Sequence, residues 1–424
     1  MEYKSRIADR LLTEILDAMG AVLIQGPKAC GKSWTAARQA GSIVRIDDPS
    51  MNYQYRLLAQ TDIPQLLDGA TPRVIDEWQE IPEIWDAVRH EVDRRHETGQ
   101  FILTGSAVPA QSDNIHHTGT GRFGWLTMRP MSLWESEDSS GDISLAALFD
   151  SPKLIKGKGL INISQLAYLI CRGGWPQTLA AKSEKGALQY SREYFNAIIN
   201  NDISRVDKIL RNPERAARLM RVYARHQGAQ VPLTTLKDDL KANESSSLSE
   251  NSISQYLDAL RAIFVIEDVK AWNPNLRSKT AVRSSDTRYY IDPSIATAAL
   301  GIGPEDLVTD LNTMGLLLET LCIRDLRVYA EAIDGSVYHY RDKNGLECDA
   351  VIHLRNGRYG LVEIKLGGEK LIEEGAATLN TLTSIIDTTK MKTPSFRMVL
   401  TGVGEFAYTR PDGVHVVPVS SLRN

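Results

Sequence analysis

Eight residues constrain this chain more than any others: Gly26-Pro27-Lys28-Ala29-Cys30-Gly31-Lys32-Ser33. They follow the pattern G-x-x-x-x-G-K-[ST]. The glycines let the backbone curl until successive N–H groups point at phosphate oxygens. In such a loop Lys32 reaches the β- and γ-phosphates and the Ser33 hydroxyl ligates Mg²⁺. The flanks agree with this reading. Ala21-Val22-Leu23-Ile24 is a short apolar run that suits a buried parallel strand. Trp34 to Gln39 suits a helix whose N-terminus faces the phosphates. Strand, loop and helix in this order predict an α/β fold that binds a nucleoside triphosphate, with ATP and Mg²⁺ as the expected cofactors.

The stretch Arg73-Val74-Ile75-Asp76-Glu77 lies about forty residues past the loop and reads as a strand ending in two acids. Asp76 is expected to hold Mg²⁺ through its water shell, and Glu77 to polarise the attacking water as general base. A further apolar strand, Gln100-Phe101-Ile102-Leu103, runs into Thr104-Gly105-Ser106. Thr104 and Ser106 are both candidates for a sensor of the γ-phosphate, and the sequence does not choose between them. Arg122 stands between glycines, where it reads either as an arginine finger or as a solvated loop residue. His116-His117 has no third ligand nearby, so a metal site is not expected there. Upstream of the loop, Ile7, Leu11, Leu12, Ile15, Leu16 and Met19 recur at helical spacing and predict an amphipathic helix that stops at Gly20.

The chain has 424 residues, enough for two or three domains. Its net charge of −4 argues neither for nor against a nucleic-acid partner, which only a local basic patch could decide. Cys30, Cys171, Cys322 and Cys348 are scattered, which argues against a zinc site or a disulfide framework and suits a reducing cytoplasm. The first residues are charged and lead into no apolar stretch, so no secretory signal is expected, and no apolar run reaches membrane-spanning length.

The phosphate loop, Val74-Ile75-Asp76-Glu77, Leu103-Thr104-Gly105-Ser106 and the later Gly121-Arg122 and Pro130-Met131-Ser132-Leu133-Trp134-Glu135 occur in this order. Together they resemble a large group of prokaryotic AAA-class ATPases that carry a C-terminal domain of unknown function. That resemblance implies an AAA-type parallel sheet. The family's loop often holds an arginine and has threonine after the lysine; here Ala29-Cys30 and Ser33 stand instead, and Ser33 keeps the hydroxyl. Arg172-Gly173-Gly174-Trp175-Pro176 is similar to an element opening the C-terminal part of the same family, and on its own reads as a turn that anchors a helix.

In the middle of the chain, Gly157-Lys158-Gly159 reads as a flexible join. Helices are expected after Asn212-Pro213, after Pro232 and over 249–262, followed by a strand at Ile263-Phe264-Val265-Ile266. Three helices and a strand hairpin make a winged-helix arrangement. The third helix presents Glu250, Asn251, Ser254, Gln255 and Asp258 outward with only Arg261 basic, which equips it poorly for phosphate contacts. The following loop, with Arg277, Lys279, Arg283 and Arg288, is the best basic patch in this part.

Toward the end, an apolar helix carries Glu319, and two strands joined through Asn356-Gly357 carry Asp349 on one arm and Glu363 and Lys365 on the other. Period-two geometry puts Glu363 and Lys365 on one face. The pattern resembles the PD-(D/E)-x-K nuclease core, a restriction-endonuclease-like α/β fold. There Asp349, Glu363 and Glu319 would be oxygen ligands for Mg²⁺, with Lys365 as the catalytic lysine.

The expected division is a P-loop ATPase domain over 1–150, a helical winged-helix-like domain over 151–300 and a nuclease-like domain over 301–424. The function expected is Mg²⁺-dependent ATP hydrolysis. Its output stays open among nucleic-acid processing on DNA or RNA, an ATP-gated metal-dependent nuclease, and a nucleotide switch whose C-terminal domain only binds a partner. Self-association is open too.

Overall fold

The computed structural model describes residues 2–106, 118–151, 153–207, 209–241, 248–273, 285–389 and 391–424. The chain divides into two compact units. The first comprises Met1–Pro130 with Asp202–Leu210 and Ala259–Phe264; the second holds Met131–Asn201, Arg211–Asp258 and Val265–Asn424.

The first unit is built on a parallel sheet of β1 (Ala21–Gln25), β2 (Ser42–Arg45), β3 (Arg73–Asp76), β4 (Phe101–Gly105) and β5 (Phe123–Thr127), in the order β2-β3-β4-β1-β5. All its pairings are parallel. The apolar runs of β1 and β4 make sense here, because a parallel sheet is covered on both faces. Leu23, Val44, Ile75 and Leu103 join Trp78, Trp85 and Val88 in one buried cluster. Helix α1 (Ile7–Ala18) buries Leu12 and Leu16 of the expected stripe together with Ala8, while Ile7, Leu11 and Ile15 stay partly exposed. Helix α2 (Lys32–Gln39) follows β1 through the glycine loop.

In the second unit, β6 (Gly157–Lys158), β7 (Gly335–Arg341), β8 (Glu347–Leu354), β9 (Tyr359–Lys365), β10 (Phe396–Thr401), β11 (Phe406–Thr409) and β12 (His415–Pro418) form a mixed sheet ordered β6-β11-β12-β10-β9-β8-β7. Strands β9, β10 and β12 run parallel, and β7, β8, β9 form an antiparallel meander. The helices Leu311–Glu331 and Glu369–Ile385 both pack on this sheet. The helical part contains Ile163–Arg172, Glu184–Ala197, Pro213–Arg225 and Leu233–Lys241, and a helix over Glu250–Ala262 spans the two units' assignments. Asn212 caps its helix as expected, accepting from the Arg215 amide at 3.0 Å. A buried knot fixes the Gly-Gly-Trp turn. Arg324 binds Asp292 at 2.8 Å and Asp325 at 2.7 Å, and Asp292 in turn accepts from the Gly174 amide at 2.9 Å.

Two local expectations are corrected. Gly157-Lys158 is an edge strand paired with β11, and Gly159 follows it. A Cβ on Gly159 would lie 1.7 Å from the Gly404 carbonyl oxygen, so the glycine serves close backbone approach and not flexibility. Ile263 to Ile266 is not a strand: the chain turns at Phe264 with φ 58°, and the expected hairpin reduces to isolated antiparallel bridges, Ile266 with Tyr290 and Val269 with Thr287. Of the basic patch, Arg277, Lys279 and Arg283 lie outside the described residues, as do His116 and His117. Arg288 is buried and donates through Nε and Nη2 to the Val231 carbonyl, at 2.9 and 2.7 Å.

Candidate functional site

The loop between β1 and α2 makes its turns at positive φ: 148° at Gly26, 58° at Ala29 and 107° at Gly31. Gly26 is sterically required as well, since a Cβ there would meet the Met128 carbonyl oxygen at 2.0 Å. The other side of the loop is tied down by Arg6, which donates to the Cys30 and Arg129 carbonyls, each at 2.8 Å. Lys32 opens α2 and folds back over the loop, its Nζ donating to the Gly26 and Pro27 carbonyls at 2.9 and 2.8 Å. Pro27 and Cys30 are part of the same curl, and Lys28 reaches away from it to Asp202 at 2.6 Å.

Register places the acids. β3 lies beside β4 with Asp76 opposite Thr104. The Ser33 hydroxyl donates to Asp76 Oδ1 at 2.8 Å, and the Thr104 hydroxyl donates to the same oxygen. Thus the residue closing the phosphate loop and the first acid of the Asp-Glu pair share a hydrogen bond, and of the two sensor candidates it is Thr104 that touches Asp76. Ser106 is buried one residue past the end of β4. Glu77 sits at φ 56°, so the chain turns sharply after the strand. Its carboxylate accepts from the Gln79 side-chain amide. Burial raises the Glu77 pKa from its ordinary value, against the opposing hydrogen bond from Gln79. Arg122 is elsewhere engaged: Nε meets Asp93 Oδ1 at 2.8 Å and Nη1 the Thr120 carbonyl at 3.2 Å.

These residues fit a nucleotide with Mg²⁺. The curl has the glycines that an approaching phosphate needs, and hydroxyl plus carboxylate is a hard-oxygen donor set. Beside Glu77, the Gln79 Oε1 atom is buried and has no hydrogen-bond partner among the described residues.

The C-terminal acids form a second cluster. Lys365 Nζ lies 2.7 Å from Glu363 Oε2 and 3.6 Å from Asp349 Oδ2, so period-two spacing does bring Glu363 and Lys365 together. Asp349 also accepts from the Ile364 amide at 2.7 Å. Glu319 is half-buried on its helix and accepts from the Tyr289 hydroxyl. Burial, followed by the Asp349 charge, pushes Glu363 up to about 8, and the same two causes raise Glu319 well above the carboxylate range. Burial would lower Lys365, but Asp349 and Glu363 outweigh it and hold the amine above its ordinary value. Among the described residues, no group of three or more His, Cys, Asp or Glu side chains is arranged to hold a metal ion.

Sequence reasoning missed Gln79, Tyr289 and Asp202. Only Gln79 carried a local signal, standing two residues after Glu77; the other two reach their partners across 30 and 174 positions.

Three family profiles match the chain. Residues 19–137 match an AAA domain, 163–306 a domain of unknown function (DUF8612) and 314–422 another domain of unknown function (DUF4143). The first supports an AAA-class, ATP-binding part. Two uncharacterized proteins, from Mycobacterium bovis and Mycobacterium tuberculosis, are each 22% identical over 379 residues, 86% of this chain and 74% of theirs. Among solved structures, the Walker-type ATPase PABY2304 of Pyrococcus abyssi is similar at 14% identity and a TM-score of 0.43, covering 70% of this chain and 98% of that one. PCH-2 of C. elegans is similar at 14% identity and a TM-score of 0.18, over 60% and 65% of the two chains. No described helix is long and apolar enough to cross a membrane.

Proposed function

We propose that this protein is a Mg²⁺-dependent ATPase. One observation carries the reading: the Ser33 and Thr104 hydroxyls converge on Asp76 Oδ1. That convergence joins the phosphate loop, the acid-bearing strand and the adjacent strand end into one site. Gly26 to Ser33 would cradle the triphosphate through backbone N–H groups, and Lys32 would exchange the Gly26 and Pro27 carbonyls for phosphate oxygens. Ser33 and Asp76 would hold Mg²⁺, which supplies charge neutralisation at the phosphates. Glu77, made more basic by burial, would accept the proton of the attacking water at its carboxylate, with Gln79 fixing that group's direction. Thr104 would report on the metal side and Ser106 is the alternative sensor. Arg122 would act as an arginine finger by trading Asp93 for a phosphate oxygen.

The three matched segments support a three-part division near 1–150, 151–300 and 301–424. The helices Pro213–Arg225, Leu233–Lys241 and Glu250–Ala262, with the bridges after them, support a winged-helix-like middle. The mixed sheet bearing Asp349, Glu363 and Lys365 supports a nuclease-like C-terminal fold. Within that part, the pairing of Lys365 with both carboxylates favours a partner-binding role over cleavage. DNA and RNA are then partners to be tested, as is self-association.

The test is ATP turnover by the full chain, with and without DNA or RNA, beside Lys32→Ala and Glu77→Gln. Turnover lost in both variants is expected, with ATP still bound by Glu77→Gln. Turnover in Lys32→Ala equal to wild type would sink the reading. Strand cleavage with Mg²⁺ or Mn²⁺ that vanishes in Asp349→Ala would replace the partner-binding role with a nuclease.

A further inference from the structure

Lys28 stands inside the phosphate loop yet bonds to a residue 174 positions away. The Lys32 amine, which in such a loop meets the β- and γ-phosphates, donates to the Gly26 and Pro27 carbonyls. Lys28 is therefore the next residue along from the peptides that line this amine. Ala29 then turns the chain at φ 58°. The Lys28 side chain is about half exposed, and its ammonium lies 2.6 Å from Asp202 Oδ1, a carboxylate only 13% exposed. Asp202 closes a π-helical stretch, Ile198–Asp202, and precedes the short helix Ile203–Arg205. Single π-turns within helices recur at functional positions. The segment Asp202–Leu210 groups with Met1–Pro130, whereas the residues on either side of it do not.

We propose that Lys28 is a second triphosphate-binding cation, and that Asp202 holds it until a γ-phosphate takes the carboxylate's place. This rests on the ATP-site reading above and adds to it a residue that tells ATP from ADP. The exchange is favourable on charge grounds: an ammonium leaves one carboxylate for the terminal phosphate of a triphosphate. It is also accessible, because an ion pair with a half-exposed lysine is weak enough to be given up. Lys28 follows directly on the two peptides that hold the Lys32 amine, so once released from Asp202 its ammonium would swing back to a terminal phosphate at that amine, and ADP, lacking that phosphate, offers it no comparable partner. Asp202 is the positioning residue. Its release makes Asp202–Leu210 the segment that registers the triphosphate.

The experiment is calorimetric titration of the full chain with a non-hydrolysable ATP analogue and with ADP, both with Mg²⁺. Lys28→Met is expected to weaken the analogue about tenfold while ADP changes less than about twofold. Asp202→Asn is expected to tighten the analogue about threefold, an effect absent when Lys28→Met is also present. Lys28→Arg restores the preference. Equal weakening of analogue and ADP by Lys28→Met overturns the proposal, as does an Asp202→Asn effect that persists without Lys28. Lys32→Ala is the separate control: if it leaves analogue binding intact, the ATP-site reading itself fails.

Discussion

The phosphate loop and the C-terminal cluster use the same residue types, acids with hydroxyls and one central lysine, and leave that lysine in opposite states. Lys32 is bonded to two backbone carbonyls, neutral partners that leave its full charge available to an anion. Lys365 lies between two carboxylates and has little charge left to offer. Asp76 is likewise held by two neutral hydroxyls, whereas Glu363 and Glu319 are kept by burial and by Asp349 in environments that disfavour their charge. A site prepared for a ligand keeps its charges on exchangeable neutral partners; a site that balances itself contributes to the fold first.

That contrast is broken most severely at Lys32. Lys32→Ala should weaken ATP binding by about a hundredfold or more, since several charge-assisted contacts go at once, while stability changes by only about 1 kcal/mol. Titration calorimetry and a denaturant melt measure the two. Loss of stability in place of affinity would make Lys32 the structural lysine and remove the distinction.

Lys365→Met should reverse the pattern. It leaves Glu363 and Asp349 facing each other without the cation, and should cost about 3 kcal/mol of stability with ATP affinity unchanged. A urea midpoint equal to wild type would show that the two acids do not depend on the lysine.

What could be read in the chain beforehand follows the range of each interaction. Gly26 to Ser33 is legible because Lys32 closes the curl on the Gly26 and Pro27 carbonyls only a few residues back, and positive φ selects glycine at Gly26 and Gly31. Asp349, Glu363 and Lys365 are legible because a hairpin has fixed periodicity. The partners of these groups are not. Tyr289 meets Glu319, and Asp202 meets Lys28, only once distant elements have packed. Gly157 and Gly159 misled for a related reason. Glycines needed for close approach of two backbones look, in sequence, like glycines that loosen a linker.

The buried acids also give the second cluster a pH signature. Glu363 is raised from 4.5 to about 8, so the folded protein holds this proton over a range where the unfolded chain has lost it. The resulting stability is full below about pH 4.5 and drains as pH rises toward about 8. Lys365, also raised, contributes constantly below its unfolded value and adds no slope in this window. Glu91, which Arg94 and Arg95 hold at about 2, loses its contribution only as pH falls below the window. Between pH 5 and 8 the wild type should lose about 3 kcal/mol more stability than Glu363→Gln; Asp325, raised to about 6, and His339, lowered to about 4, titrate in both proteins and cancel from that difference. An identical slope in both proteins would assign the pH dependence to other groups.

The smallest effect is expected at Tyr289. Its hydroxyl donates to Glu319, and a Cβ on Gly228 would lie 2.6 Å from the other Glu319 oxygen, so the carboxyl is enclosed from two sides. Tyr289→Phe keeps the ring and removes only the donor. The half-buried acceptor then loses its partner, which should cost about 1 kcal/mol in a urea melt. Glu319 is already raised by burial and by the Asp349 charge, and the Tyr289 hydrogen bond is the first influence opposing that rise. Removing it should push Glu319 further toward its neutral form and steepen the loss of stability with rising pH. Tyr289→Phe should leave ATP affinity where it was. A fall in ATP affinity instead would mean that the two clusters are energetically linked, and the contrast between an exchangeable site and a self-balanced one would have to be redrawn as a single coupled system.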